Sequence, residues 1–181
     1  VEKDRFAQVG RAGDVQIPAG AARVDLAGKT VMPAIVDTHT HVPTTREALV
    51  ELLQRKAYYG VAAVASFGQD TGDVAFQVRE EVVPDGAMLR TAGRGITMPE
   101  PGRTEAPYWV TNEAEARKAV QKLAARKVDF VKIWVDDRDG KYKKLTPALY
   151  GAIIDEAHKH SLRVTAHIFT LEDAKGLLKA G

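Results

Sequence analysis

Two histidines stand two residues apart in Asp37-Thr38-His39-Thr40-His41, at the end of an apolar run that starts at Val31. In an extended chain successive side chains alternate faces, so His39 and His41 project the same way and Asp37 shares their face. Two imidazoles at a strand end can reach one divalent ion at about 2.0 to 2.1 Å each. The bare pattern also describes two exposed histidines, so its meaning depends on the elements that carry it. Cysteine is absent, which removes thiolate catalysis, disulfides and Cys-based zinc sites. A transition-metal site in this chain must use His, carboxylate or modified Lys.

Other polar residues sit where an apolar strand would place them. Lys132 lies inside Phe130-Val131-Lys132-Ile133-Trp134-Val135, and His167 follows Val164-Thr165-Ala166. Read alone, Lys132 is an edge charge or a buried partner of Asp136 or Asp137, and His167 is a hydrogen-bonded core histidine. His158 and His160 fall at a predicted helix end, where positive character complements the helix dipole.

The elements that must position these residues follow a clear rhythm. Short apolar runs at 31–39, 61–67, 88–93, 130–135 and 163–168 read as strands, and amphipathic stretches at 45–59, 73–82, 112–127, 146–160 and 171–179 read as helices. This alternation predicts an α/β fold of five βα units around a buried parallel sheet. Asn112 and Thr146-Pro147 offer helix N-caps, and Gly60 follows Tyr59 where a left-handed C-cap is expected. Residues 1–30 break the rhythm with repeated Gly and Pro, and read as small β-strands and turns, a separate segment before the barrel-like region 31–181. The Pro- and Gly-rich stretch from Thr97 to Trp109 reads as a long loop after the third strand. There Arg94, Thr97, Tyr108 and Trp109 are placed either to contact substrate or simply to cover the surface.

The composition narrows the function classes. With 26 Lys and Arg against 24 Asp and Glu, the formal charge is only +2, and no basic run offers a phosphate-tracking stripe, so nucleic acid binding is not expected. No long apolar window predicts a membrane span and no signal-peptide design is visible, so a cytoplasmic protein is expected. The chain starts at Val1 and stops at Lys179-Ala180-Gly181 on what reads as a helix end; both ends are expected to be cut.

The stretch from Leu26 to His41 resembles the first barrel strand of the amidohydrolase superfamily, with the imidazolonepropionase-like and prolidase-like members the nearest in look. Ile17-Pro18-Ala19-Gly20-Ala21 and Val24-Asp25-Leu26 resemble the small β-sandwich these proteins place before the barrel. Phe130–Val135 resembles the fourth strand and Arg163–His167 the fifth, and Arg94-Gly95-Ile96-Thr97 resembles a segment of the imidazolonepropionase-like members. The resemblance implies part of a TIM (β/α)8 barrel preceded by part of a β-sandwich. It also implies a metal site of His39, His41, Lys132 and His167 holding one or two divalent ions, with zinc the best match to the donors. Lys132 would be carbamylated, and Arg94, Tyr108 and Trp109 would contact a small-molecule substrate.

The activity so implied is hydrolysis of an amide, cyclic amide or peptide-like C–N bond by metal-activated water. The departures are Ala34 where the pattern has Gly after Pro33, and the missing sixth-strand His and eighth-strand Asp. That Asp, the expected proton-transfer group, would lie beyond Gly181. Five parallel strands cannot close an eight-stranded barrel, so self-association or a complementary C-terminal half is expected. The alternative is an interaction-only half-barrel that needs such a partner for activity. A flavodoxin-like ligand-binding domain is a weaker third reading, because no Gly-rich phosphate loop follows the first strand.

Overall fold

The computed structural model describes residues 1–3, 5–11 and 13–181, which fall into two compact units, Val1–Pro33 and Ala34–Gly181. In the second unit, β1 (Ile35–Thr40), α1 (Arg46–Tyr58), β2 (Val61–Ser66), α2 (Val74–Arg79) and β3 (Met88–Thr91) come first. After them the short strands β4 (Ile96–Thr97) and β5 (Tyr108–Trp109) precede α3 (Glu113–Ala125), β6 (Val131–Val135), α4 (Pro147–Lys159), β7 (Val164–Ile168) and α5 (Leu171–Ala180). All strand pairs are parallel, in the orders β1-β2-β3 and β5-β4-β6-β7. β1, β2, β3, β6 and β7 are the five strands of the predicted βα rhythm. Backbone bonds link the two sheets: Gly95 N, just before β4, donates to Gly68 O at 2.8 Å, and Asp129 N, just before β6, donates to Thr91 O of β3 at 3.0 Å.

The helices form where caps and apolar spacing agree. Ala116, Ala119, Val120 and Leu123 recur at helical spacing on α3 and are buried, which gives one face to the sheet. The Asn112 side chain accepts from Glu115 N at 2.9 Å. Thr146 does the same for Leu149 N at 3.4 Å, with Pro147 in the first turn, where a missing N–H costs nothing. Gly60 takes φ +86° after α1, the left-handed turn its lack of a Cβ allows.

Two apolar clusters result. Leu49, Leu53, Val64, Val78 and Leu89 pack α1 and α2 on the first sheet. Ile96, Val120, Leu123, Ile133, Leu149 and Ile153 pack α3 and α4 on the second. Each such side chain, fully buried, contributes about 1.5–3 kcal/mol.

The elements depart from the sequence expectation in several places, and the second helix ends at Arg79, short of residue 82. The first strand begins at Ile35 rather than Val31, because Pro33 has no N–H for a ladder. The third strand stops at Thr91, short of Gly93, which turns at φ +62°. The long loop contains β4 and β5, each of two residues, which a composition rich in Pro and Gly conceals. In the Val1–Pro33 unit the described residues form turns and one antiparallel bridge between Glu2 and Arg5, rather than the small strands expected over 1–30. Phe6, Val9 and Val24 are exposed there, and a ribbon without a packed face is marginal by itself. No helix among the described residues is long and apolar enough to cross a membrane.

Candidate metal centre

β1 carries His39 near its end, and His41 follows at the start of the next loop. Their rings lie edge to face with centroids 5.6 Å apart, and His39 also meets Phe67 at 5.0 Å. Both histidines are exposed. Asp37 does not join them, although strict alternation predicts that it should. The β1–β2 register shifts between Asp37 and Thr40, and this irregularity breaks the alternation of faces. Asp37 instead accepts from Lys56 Nζ of α1 at 2.6 Å and from His39 N at 3.1 Å. The bond from Lys56 holds its carboxyl below the usual carboxylate range.

β6 runs through the core with all five residues buried, and it carries Lys132 to a setting unusual for an amine. Lys132 is only 2% exposed, and its Nζ lies 5.2 Å from the Phe67 ring and 5.5 Å from the Trp134 ring. Burial pushes this amine below its usual range, because the charged form loses water and gains no counter-charge. The buried pairing of Lys132 with Asp136 or Asp137 considered from sequence does not occur among the described residues. Asp136 serves Arg138 instead: Oδ1 accepts from Arg138 N at 2.8 Å and Oδ2 from its guanidinium.

His167 stands on β7, opposite Trp134 in the β6–β7 register. Its Nε2 is 3.3 Å from Asp136 Oδ2, yet the nitrogen is buried and has no hydrogen-bond partner. The separation is short, but the direction is wrong for a bond, and the nitrogen is left unsatisfied. Burial pushes the His167 imidazole down, Asp136 opposes this, and Arg138 and Lys132 add to it. Burial likewise lowers His39, reinforced by the charges of Lys132, His41 and His167. The geometry relates the two sheets through Phe67, whose ring lies 5.0 Å from the His39 ring and 5.2 Å from Lys132 Nζ; His41 borders His39, and His167 stands on the strand paired with that of Lys132.

Among the described residues no three His, Asp or Glu side chains form a ready metal cluster. A site here therefore depends on Lys132 as well as the histidines. The donors do fit a divalent ion: an orphaned, buried imidazole nitrogen is the atom a cation would satisfy, and neutral imidazole is the form that ligates.

The loop residues serve differently. Arg94 is held by its own loop, donating from Nε to Ala106 O at 2.5 Å and from Nη2 to Glu105 O at 2.6 Å and Pro107 O at 3.2 Å. Its guanidinium also covers the Tyr108 ring at 4.3 Å, which Lys122 of α3 approaches from 5.4 Å. Arg94 and Tyr108 thus hold the loop, whose carbonyls lack strand partners and need donors. Trp109 is half-buried, and its Nε1 has no partner. His158 and His160 are exposed at the end of α4.

Sequence reading missed two polar assemblies. Asp70 is buried and accepts from Ser66 Oγ at 3.0 Å and from Thr91 Oγ1; burial raises its carboxyl. Glu100, also buried, accepts from Arg103 Nη1 at 2.7 Å and Arg138 Nε at 3.1 Å. Arg138 reaches both Glu100 and Asp136 from a turn in which Arg138 and Asp139 have positive φ. The only sequence signal for it was the charged run Asp136-Asp137-Arg138-Asp139 after an apolar strand.

No family model matches the chain. Uncharacterized proteins of Mycobacterium bovis and Mycobacterium tuberculosis are 27% identical over 174 residues, covering 91% of this chain and 46% of theirs. A Bifidobacterium longum protein assigned as a prolidase superposes with a TM-score of 0.77 and 26% identity, over 96% of this chain and 44% of that one. A solved amidohydrolase superposes at 0.74 with 16% identity, over 93% of this chain and 51% of that one. The chain spans about half the length of the proteins it matches.

Proposed function

Because the chain has the fold of the N-terminal part of an amidohydrolase-superfamily barrel, we propose that it supplies half of a metal-dependent hydrolase acting on amide, cyclic amide or peptide-like C–N bonds. The observation that carries this reading is the approach of His39 and Lys132, from two sheets, to the one ring of Phe67, with His167 on the strand paired with that of Lys132 and its Nε2 unpartnered. His39, His41, Lys132 and His167 would hold one or two divalent ions, with zinc the best match to nitrogen donors. A metal there supplies polarisation of the scissile carbonyl and acidification of water near neutral pH.

The chain's own residues prepare this. Phe67 and Trp134 keep Lys132 dry, which favours the neutral amine. A neutral amine can add carbon dioxide, forming an N–C bond, releasing one proton and leaving an anionic carbamate whose oxygens suit a cation. Asp136 Oδ2 stands 3.3 Å from His167 Nε2 and would add negative charge beside a cation held there. Arg94, Tyr108 and Trp109 are the loop candidates for substrate contact. The resemblance puts the proton-transferring Asp outside residues 1–181.

Competition of the purified chain with a chromophoric chelator for Zn²⁺ tests this reading. Stoichiometric binding is expected, with large losses in His39→Ala and His167→Ala. Unchanged binding in both variants would remove the ligand assignment.

A second reading, a half-barrel that acts only with a complementary partner, is favoured by the strand edges. β1 and β7 each end a sheet, and Ile35 and Val36 on β1 are half exposed to water at 51% and 53%. Co-expression with the C-terminal portion of the Bifidobacterium longum protein tests it: a stable one-to-one complex supports complementation, and two separate species argue against it.

A further inference from the structure

Glu100 lies in the loop between β4 and β5, and Asp136 directly follows β6, yet one guanidinium serves both carboxylates. Arg138 Nε donates to Glu100 Oε1 at 3.1 Å, its Nη1 donates to Asp136 Oδ2, and its backbone N donates to Asp136 Oδ1 at 2.8 Å. The second oxygen of Glu100 accepts from Arg103 Nη1 at 2.7 Å, so this carboxylate is anchored from its own loop. Glu100 is 2% exposed and Asp136 5%. Buried carboxylates are costly unless paired and hydrogen-bonded, and loop attachment alone does not call for two of them.

The backbone points the same way. Arg138 has φ +56° and Asp139 φ +59°, in the left-handed region that a side chain disfavours. A residue stays there when its surroundings over-determine it, and three bonds to two carboxylates do that for Arg138. The Tyr142 hydroxyl adds a second tie between the loops, donating to Pro101 O at 3.1 Å. What this turn delivers is Asp136 Oδ2, 3.3 Å from His167 Nε2. Glu100, Arg138, Asp136 and His167 thus stand in an unbroken row, with the Asp136 carboxylate gripped at both oxygens by Arg138.

We propose that Glu100 is a positioning residue: acting through Arg138, it fixes the Asp136 carboxylate beside His167 Nε2, and so ties the loop between β4 and β5 to the candidate metal centre. This rests on the metal-dependent reading for what the carboxylate faces; the row of contacts itself does not need metal.

The test is carbon-detected NMR of the metal-free, ¹³C-labelled full chain, following the Asp136 carboxylate carbon, assigned by its loss in Asp136→Asn. Two variants separate reach from charge. Glu100→Asp keeps the charge but draws the carboxylate back by one methylene, away from Arg138, and should shift the Asp136 signal. Glu100→Gln keeps the reach and an oxygen for Arg138 Nε, and should shift it less. Zinc competition reads the consequence: Glu100→Asp should weaken affinity about three- to tenfold in the parent, the range of coupling within one hydrogen-bond network, and leave it unchanged in the Asp136→Asn background. An Asp136 signal unmoved in Glu100→Asp, a larger shift in Glu100→Gln, or the same loss of affinity in the Asp136→Asn background would each overturn the positioning role. A parent that binds no zinc would instead overturn the hydrolase reading, and the Asp136 signal would then decide the role of Glu100 by itself.

Discussion

His167 Nε2 lies 3.3 Å from Asp136 Oδ2 without forming a hydrogen bond to it. That nitrogen is the one that would ligate, so the carboxylate places negative charge directly beside a bound cation. Asp136→Asn removes that charge at nearly constant volume. Zinc affinity is expected to fall about tenfold or more, read by the same chelator competition, whereas an unchanged affinity would leave Asp136 as a partner of Arg138 alone.

Lys132 poses stability against function. Its amine is buried between Phe67 and Trp134 with no hydrogen bond or ion pair among the described residues. Lys132→Met keeps the length and removes the polar end. Urea denaturation of the metal-free chain should show a gain on the order of 1 kcal/mol, and metal binding should be lost together with it. A loss of stability would mean that the amine has a partner in solution.

Asp70 gives a pH signature. Burial holds its carboxyl above the usual range. For an acid whose folded pKa exceeds its unfolded value, the stabilisation is complete below the unfolded pKa of about 3.9. It is then lost as pH rises through the folded value. Asp70→Asn cannot ionise. The variant should gain on the parent as pH rises from acid to neutral, in thermal melts across that window; a difference that stays constant with pH would contradict the buried carboxylate.

Arg94→Ala separates a loop clamp from a substrate contact. Loss of three bonds to the carbonyls of Glu105, Ala106 and Pro107 should speed proteolytic cutting between Thr97 and Tyr108. Cutting at the parent's rate would show that the loop is held by other contacts.

The βα rhythm was legible because each buried parallel strand is a short run of Val, Ile or Ala, and each helix has one apolar face. Lys132 and His167 were locatable because a polar residue inside such a run stands out. What stayed hidden depends on tertiary geometry. The register shift in β1 turns Asp37 from His39 to Lys56, and no residue type announces it. Glu100 and Asp136 are bridged by Arg138 through a left-handed turn and a distant loop. The two-residue strands β4 and β5 are shorter than any periodicity can reveal.

The two-sheet origin of the histidine and lysine donors has a mechanical consequence. His39 lies on β1 and His41 just after it, at the edge of β1-β2-β3, while Lys132 and His167 belong to β5-β4-β6-β7. An ion gripped by both would act as a clasp across the seam between the sheets, and its binding free energy would add to the resistance of that seam to opening. Amide exchange on either side of Gly68–Gly95 should then slow with zinc, while the far face of α4 stays unchanged.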